Sequence, residues 1–342
     1  MQTRMEKFTI LFPNAPAYRM KQMESSAFRP EWTSWNDASI FPKDMREALE
    51  KNIPWLSYKK TQILESKSRD SYKALLKLLD GDMIETVLMA NTKGLWTICV
   101  SSQVGCPMGC LFCATGKMGL KRNLSSDEII DQYRFWAIFL QEKKLEGAIT
   151  NIVVMGMGEP LLNYKNVKEA MSSILHNTEI GQTHISISTI GVPAALEMIL
   201  EDKHWPNILI AISLHSADGA IRKKIIPSSS DDSLEQIAQW SKKYIKKFGN
   251  RSHFLMYEYI MLKGINDSIA DAKKLVKFVT TTGNIKVNLI PYNRTGSEFE
   301  SSSDETIDAF FQYLKKHRVM VTVRKSLGND ISAACGQLAT KK

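Results

Sequence analysis

Three of the five cysteines in this 342-residue chain stand within eight residues, as Cys106, Cys110 and Cys113 in CPMGCLFC. The Cys-x3-Cys-x2-Cys spacing lets three thiolates wrap one face of a cubane iron–sulfur cluster. The fourth iron is then left without a protein ligand and open to a small molecule. The same residues also admit a zinc site short of one ligand, or three buried structural thiols. Zinc sites ordinarily show paired Cys-x2-Cys or Cys/His halves, and no second half is visible here. Cys99 and Cys335 stand alone, and each by itself reads as a small buried hydrophobe.

Other residues able to do chemistry recur where expected strands end. Gly158 and Glu159 lie in GMGEP, Ser188 in STIG, Ser213-Leu214-His215 in SLH and Asn293 in PYN. Glycine there lets backbone approach a ligand, and a carboxylate such as Glu159 can hold an ammonium group by a charge-assisted hydrogen bond. Taken singly each is turn chemistry or a satisfied polar residue. Their shared placement at strand ends points to one common ligand.

The elements that must position them begin at about residue 94, where strands and helices alternate. Apolar runs at 95–101, 149–157, 185–190, 208–214, 254–262, 287–291 and 319–323 read as strands. Helical stretches follow at 125–144, from 166, from 193, and at 234–247, 269–280 and 306–317. Ser125 and Glu128 have the spacing of a capping box. The fold class is α/β: a parallel sheet with helices outside, curved into a full or partial barrel whose working residues lie at the strand ends. Residues 1–80 are expected to form a small helical domain, with helices at 17–23, 44–51 and 71–79 kept short by prolines. Trp32, Trp35 and Trp55 are its expected core, with stacking on bases as the alternative. Residues 81–93, around MIETVLMA, are expected to be a connecting strand, and residues 94–342 the larger domain.

The formal charge is +9, and residues 1–80 hold 14 Lys/Arg against 10 Asp/Glu, more basic per residue than the remainder with 31 against 26. This surplus fits a polyanionic partner such as nucleic acid, or simple solubility. No run of 18 apolar residues is present, so no membrane span is expected. The start, MQTRMEKFTILFPN, lacks the features of a secretory signal, and five cysteines with three clustered do not make a disulfide framework. A cytoplasmic, monomeric protein is the expectation.

The stretches CVSSQVGCPMGCLFCATG, MGMGEPLLN, ISTIGVPA, ISLHS, NLIPYN and DISAACGQL, between residues 99 and 338, resemble the radical-SAM family, and within it the RlmN/Cfr group of RNA adenine methyltransferases. The resemblance implies a partial (β/α) radical-SAM barrel, preceded by a helix-hairpin-helix-like RNA-binding domain. It implies that Cys106, Cys110 and Cys113 ligate one [4Fe–4S] cluster whose open iron is chelated by S-adenosylmethionine. Gly158, Glu159, Ser188, Ser213, Leu214, His215 and Asn293 then bind that cofactor. Cys335 of AACGQL matches the methyl-carrying cysteine, Cys99 the second essential thiol, and Glu85 of IETV the proton acceptor. Where the family often has Asp, this chain has Asn329 and Ser332.

The implied chemistry answers the inertness of adenine C2 toward direct transfer from a sulfonium. One S-adenosylmethionine methylates Cys335, and a second is cleaved to a radical that takes hydrogen from the S-methyl group. The methylene adds to the base, and after loss of an electron and a proton Cys99 attacks the Cys335 sulfur, releasing methylated RNA and leaving a disulfide. An electron donor such as flavodoxin or ferredoxin is required. One branch of the group methylates C2 of an adenosine in 23S rRNA and in tRNA beside the anticodon; the other methylates C8 of the rRNA adenosine. GMGEP, with Pro160, is the C2 pattern. A non-catalytic iron–sulfur module for RNA binding or electron transfer is the alternative of a different class; it leaves Cys335 and Glu159 without a task.

Overall fold

A computed structural model describes residues 2–91, 94–283 and 285–339; residues 92–93 of the expected connecting strand and the 340–342 end of the expected larger domain lie outside the described residues. The chain opens with three helices, α1 (Arg4–Leu11), α2 (Ala17–Ser26) and α3 (Lys43–Asn52). A capping box starts α1: the Thr3 hydroxyl accepts from Glu6 N at 3.1 Å, and the Glu6 carboxylate accepts from Thr3 N at 2.8 Å. Phe8, Met23, Trp35, Leu49 and Trp55 form a core separate from that of the sheet. Trp35 meets Trp55 edge-on at 4.8 Å, and Trp32 packs against the same cluster. Burial takes Trp35 and Trp55 out of reach of a base.

The helix expected at 71–79 is a strand. Its leucines have helical spacing, but SYKALLKL lies between two antiparallel neighbours, and all but two of its eight residues are buried. Cross-strand burial overrides local propensity there. The strands are β1 (Tyr58–Glu65), β2 (Ser71–Leu78), β3 (Met83–Ala90), β4 (Trp96–Cys99), β5 (Gln103–Cys106), β6 (Gly119–Asn123), β7 (Ile149–Val154), β8 (Ile185–Thr189), β9 (Leu209–Ser213), β10 (Leu255–Met261), β11 (Ile285–Pro291) and β12 (Met320–Val323). Helical structure thus ends at Asn52 and the sheet begins at Tyr58, well before residue 80.

Ten strands form one sheet in the order β1-β2-β3-β4-β7-β8-β9-β10-β11-β12, while β5 and β6 pair as a separate hairpin. Strands β1 to β4 are antiparallel, and β4 through β12 pair in parallel. Helices α4 (Ser126–Glu142), α5 (Tyr164–Asn177), α6 (Pro193–Glu201), α7 (Gly219–Ile225), α8 (Ser233–Phe248), α9 (Ile269–Thr282) and α10 (Asp304–Lys316) fill the crossovers. The result is the open, partial α/β barrel, extended at one edge by the antiparallel strands. The expected capping box at the head of α4 is present, with Ser125 N donating to Glu128 at 2.8 Å. No helix among the described residues is long and apolar enough to cross a membrane.

A buried ionic knot locks the helical unit to the barrel. Arg4 meets Asp131 of α4 at 2.8 Å and Asp127 at 3.1 Å, and Arg134 meets Asp131 at 2.8 Å. Both guanidiniums also donate to Trp55 O, and Arg134 lies 4.4 Å from the centre of the Trp55 ring. Burial alone would raise the Asp131 carboxyl, but Arg4 and Arg134 hold it at about 2, below its ordinary 3.8. That stabilisation is present above about pH 4 and is lost as pH falls through 2. Asp131→Asn leaves two buried cations short of a countercharge, and urea unfolding at pH 7 should show a loss of about 3–5 kcal/mol. A loss below about 1 kcal/mol, the scale of an exposed pair, would contradict this role.

Candidate active site

The cysteine loop is built by the hairpin of β5 and β6. Cys113 N donates to Cys110 O at 3.1 Å, closing the turn inside the motif. A Cβ on Gly116 would lie 2.8 Å and 2.9 Å from the Cys110 carbonyl oxygen and nitrogen, so only glycine fits behind the loop. Three outside contacts fix it: Leu111 N to Ile225 O at 3.0 Å, Ala114 N to Gly336 O at 2.8 Å, and the Thr295 hydroxyl to Phe112 O at 3.1 Å. Phe112, Ile226, Ile260 and Tyr292 pack around it.

Burial raises the Cys106 thiol to about 12 and the Cys110 thiol well above its ordinary value, with the neighbouring cysteines adding to the shift at Cys110. These sulfurs would therefore ionise readily only against a bound cation. Among the described residues no three His, Cys, Asp or Glu converge as one metal ion would need. A cubane, which takes each thiolate on a separate iron, does not need that convergence. Three sulfur donors in an apolar shell fit such a cluster.

The three cysteines open onto a cavity that also reaches Gly158, Glu159, Ser188, Ser213 and His215. The turn after β7 brings Glu159 there. A Cβ on Gly158, whose φ is +111°, would lie 2.7 Å from both Gln103 Cβ and Ser102 Oγ, so this turn can seat on the β4–β5 segment only with glycine. Glu159 is buried; its Oε1 accepts from Leu161 N at 3.1 Å and its Oε2 from Ile190 N at 2.9 Å. Burial pushes its carboxyl to about 7 despite these bonds. The Ser188 and Ser213 hydroxyls are 3.0 Å apart. His215 is held neutral, burial and Arg222 lowering it to about 3. Its Nδ1 accepts from Ile260 N at 3.1 Å, so Nε2 carries the proton.

Two expected members of this group lie elsewhere. The Leu214 side chain is in the main core, and its carbonyl accepts from Arg222 Nε at 3.1 Å. Asn293 lines a second cavity and donates to Cys335 O at 3.3 Å.

That second cavity joins Cys99, Cys113, Arg324 and Cys335, so the two ends of the sequence motif meet. Cys335 also lines the first cavity, and its exposed surface faces these spaces. Cys99 is buried at the end of β4, its thiol raised to about 12 by burial and by Cys335. All five cysteines are free, so the expected Cys99–Cys335 disulfide is not formed in this state. Glu85 does not reach this cavity. It pairs with Lys73 at 3.2 Å and accepts from Ala339 N at 3.0 Å, beside a third cavity shared with Arg294 and Ser332. Ser332 is in the left-handed region (φ 51°), and its carbonyl accepts from Lys73 at 3.1 Å. Asp330 accepts from Lys67 N at 2.8 Å, and Asn329 is exposed.

Three polar residues of the site carry no motif in the sequence. Arg222, buried on α7, donates to Ile190 O at 2.6 Å and to the Ser233 hydroxyl at 2.9 Å besides Leu214 O, tying the ends of β8 and β9 together. Glu258 of β10 stands in register with Ser213 and Asn288, and the Asn288 amide donates to it at 2.9 Å. Arg324 donates to the same Glu258 oxygen at 3.0 Å. A polar row thus crosses the barrel, and the one signal for it is Glu258 inside the apolar run LMYEYIM.

A family model for the Radical SAM superfamily matches residues 100–278. The ribosomal RNA large subunit methyltransferase N of Nitrosopumilus maritimus is 40% identical over 314 residues, covering 89% of this chain and 87% of the relative. The probable dual-specificity RNA methyltransferase RlmN of Chlorobium phaeobacteroides is 40% identical over 334 residues, covering 95% and 90%. The crystal structure of a radical SAM methyltransferase from Sphaerobacter thermophilus superposes with a TM-score of 0.88 at 33% identity, covering 99% of this chain and 98% of that one. A cysteine loop, a buried carboxyl and two thiols that line one cavity agree with these likenesses, and the chain belongs to the radical SAM superfamily and, within it, to the RlmN family of methyltransferases.

Proposed function

We propose that this chain methylates C2 of an adenosine, in 23S rRNA at the peptidyl-transferase centre and in tRNA beside the anticodon. The observation that carries the reading is the position of Cys335, which borders both the cavity of the cysteine loop and the cavity of Cys99. The relatives' names and Pro160 in GMGEP support C2 over C8. Family membership implies a [4Fe–4S] cluster and S-adenosylmethionine, which together supply a 5′-deoxyadenosyl radical when bound. Cys106, Cys110 and Cys113 would hold the cluster. Glu159 would take the cofactor's ammonium group, with the Gly158 backbone, the Ser188 and Ser213 hydroxyls and the neutral His215 around it. Asn293 would hold the Cys335 backbone against this cavity.

The remaining steps belong to the two free thiols. Cys335 would carry the methyl group and form the bond to the base, at a cost of two S-adenosylmethionine molecules per turnover. To release the RNA, Cys99 gives up its proton and attacks the Cys335 sulfur. The sulfur–carbon electron pair leaves with carbon, which takes a proton, and a disulfide remains for a thiol reductant. Glu85 would accept the proton from the base once tail and RNA rearrange, since its carboxylate is engaged by Lys73 and Ala339 here. The basic helical unit would anchor RNA, the base would enter unstacked, and a flavodoxin- or ferredoxin-like donor would serve the monomer.

With reconstituted cluster, reductant, S-adenosylmethionine and RNA, Cys335→Ala should yield no methylated RNA, and Cys99→Ala should accumulate a protein–RNA adduct on a denaturing gel. Free methylated RNA at the normal rate from either variant would overturn the thiol assignments. Digestion of the product and NMR of the nucleoside should show 2-methyladenosine; 8-methyladenosine would overturn the C2 assignment. Glu159, raised from 4.5 to about 7, contributes stability that is lost as pH rises through 7. In cluster-free protein, Glu159→Gln should therefore gain on wild type by up to roughly 3 kcal/mol between pH 5 and pH 8 in urea unfolding. Parallel pH curves would contradict a buried, perturbed carboxyl.

A further inference from the structure

Between Cys99 and the cysteine loop lies the stretch Ser101-Ser102-Gln103, and it seats the turn that carries Glu159. The Ser101 hydroxyl accepts from Met157 N at 2.9 Å, while Ser102 N and Gln103 N donate to Met157 O at 2.8 Å and 3.1 Å. Gln103 is fully buried; its Oε1 accepts from Glu159 N at 2.8 Å, and its Nε2 donates to Asn123 Oδ1 at 2.7 Å. Asn123 donates in turn to Leu162 O at 3.3 Å, and Leu162 N returns to Glu159 O at 3.1 Å. This chain of bonds begins and ends on Glu159.

A backbone N–H can only donate, so the Gln103 oxygen must face Glu159 and its nitrogen must find an acceptor. Asn123 supplies one, because the two residues are cross-strand partners in the β5–β6 hairpin. The same strand β5 ends on Cys106, so one hairpin holds both the first cysteine of the loop and the backbone of the buried carboxylate. From the other side Asn163, 3% exposed, donates to Ser102 O at 2.8 Å and to Leu124 O at 2.7 Å, next to the ends of both strands. Neither Gln103 nor Asn123 lines the cavity of the cysteine loop.

We propose that Gln103 and Asn123 are positioning residues for S-adenosylmethionine, their paired amides holding Glu159 at a fixed place relative to the cysteine loop. The inference rests on Glu159 taking the ammonium group of the cofactor. A ligand held at one end by that carboxylate and at the other by a cluster on the cysteine loop needs the two holders at one spacing. Fixing that spacing before the ligand arrives removes the cost of ordering the turn on binding. Both amides act through the backbone of Glu159.

The experiment titrates full-length, cluster-loaded protein with S-adenosylmethionine, anaerobically and without RNA, and measures affinity by calorimetry. Every sample carries Cys335→Ala, so that no methyl is transferred during the titration. Gln103→Leu should weaken binding roughly tenfold, because it leaves the buried Glu159 N–H without an acceptor. Asn123→Ala, on an exposed part of the hairpin, should weaken it severalfold, and it carries the test if Gln103→Leu does not fold. Asn123→Asp keeps an oxygen for the Gln103 amide and should restore most of the loss. A merely structural role would treat the two Asn123 variants alike; equal weakening in both, or parent affinity in Asn123→Ala, would overturn the proposal. Glu159→Gln is titrated alongside. Weakening there, with none in the Gln103 and Asn123 variants, would overturn the amide clasp alone. Parent affinity in Glu159→Gln would overturn the ammonium assignment and the clasp with it.

Discussion

The hydrogen bond from Ala114 N to Gly336 O, 2.8 Å long, is the constraint on which the site depends. It joins the cysteine loop of the β5–β6 hairpin to a tail more than two hundred residues later. Without it Cys335 has no reason to stand beside Cys113. The junction is reinforced on each side: Asn293 donates to Cys335 O, the Thr115 hydroxyl to Leu338 O at 2.5 Å, and Gln337 to Arg294 O at 3.0 Å. Most of these acceptors are backbone carbonyls of the tail, so the tail's path is fixed while its reactive side chain stays free. The proposed role, in which the Cys335 sulfur meets both a radical source and Cys99, needs that combination.

Electrostatic preorganisation runs through the rest of the barrel mouth. Glu159 is kept near its ionisation point by burial, which prepares it for a cationic ligand. His215 is kept neutral, and its one assigned acceptor is occupied by Ile260 N. Arg222 and Arg324 are cations at the barrel mouth: one satisfies carbonyls at the ends of β8 and β9, the other donates to the Glu258 carboxylate and lines a cavity it shares with Cys335. At the opposite end, Arg4, Asp131 and Arg134 do for the domain junction what the tail bonds do for the site.

The strand–helix alternation from about residue 94 was legible because each buried strand is a short apolar run with a helix after it. The cysteine loop and Glu159 were legible because motif spacing is local. The 71–79 segment reads as helix because its leucines satisfy helical spacing, while what decides its state is pairing with β1 and β3. Leu214 shares a motif with its neighbours, but alternation along the chain turns it into the core while Ser213 faces the cavity. Arg222, Glu258 and Arg324 are invisible because no motif marks them: the partners of Arg222 lie 8 to 32 residues away, and those of Glu258 lie 30 and 66 residues away. Glu85 was identified by its motif, yet its engagement by Lys73 and Ala339 depends on where the tail lies.

The central claim is that the sulfur of Cys335 carries the methyl group. The most direct measurement incubates cluster-loaded protein, without RNA, with methyl-labelled S-adenosylmethionine and locates the label by peptide mass spectrometry. The expected result is one labelled methyl on the Cys335 peptide and none on the Cys99 peptide. Label on another residue, or an unlabelled Cys335 in protein that goes on to methylate RNA, would contradict it.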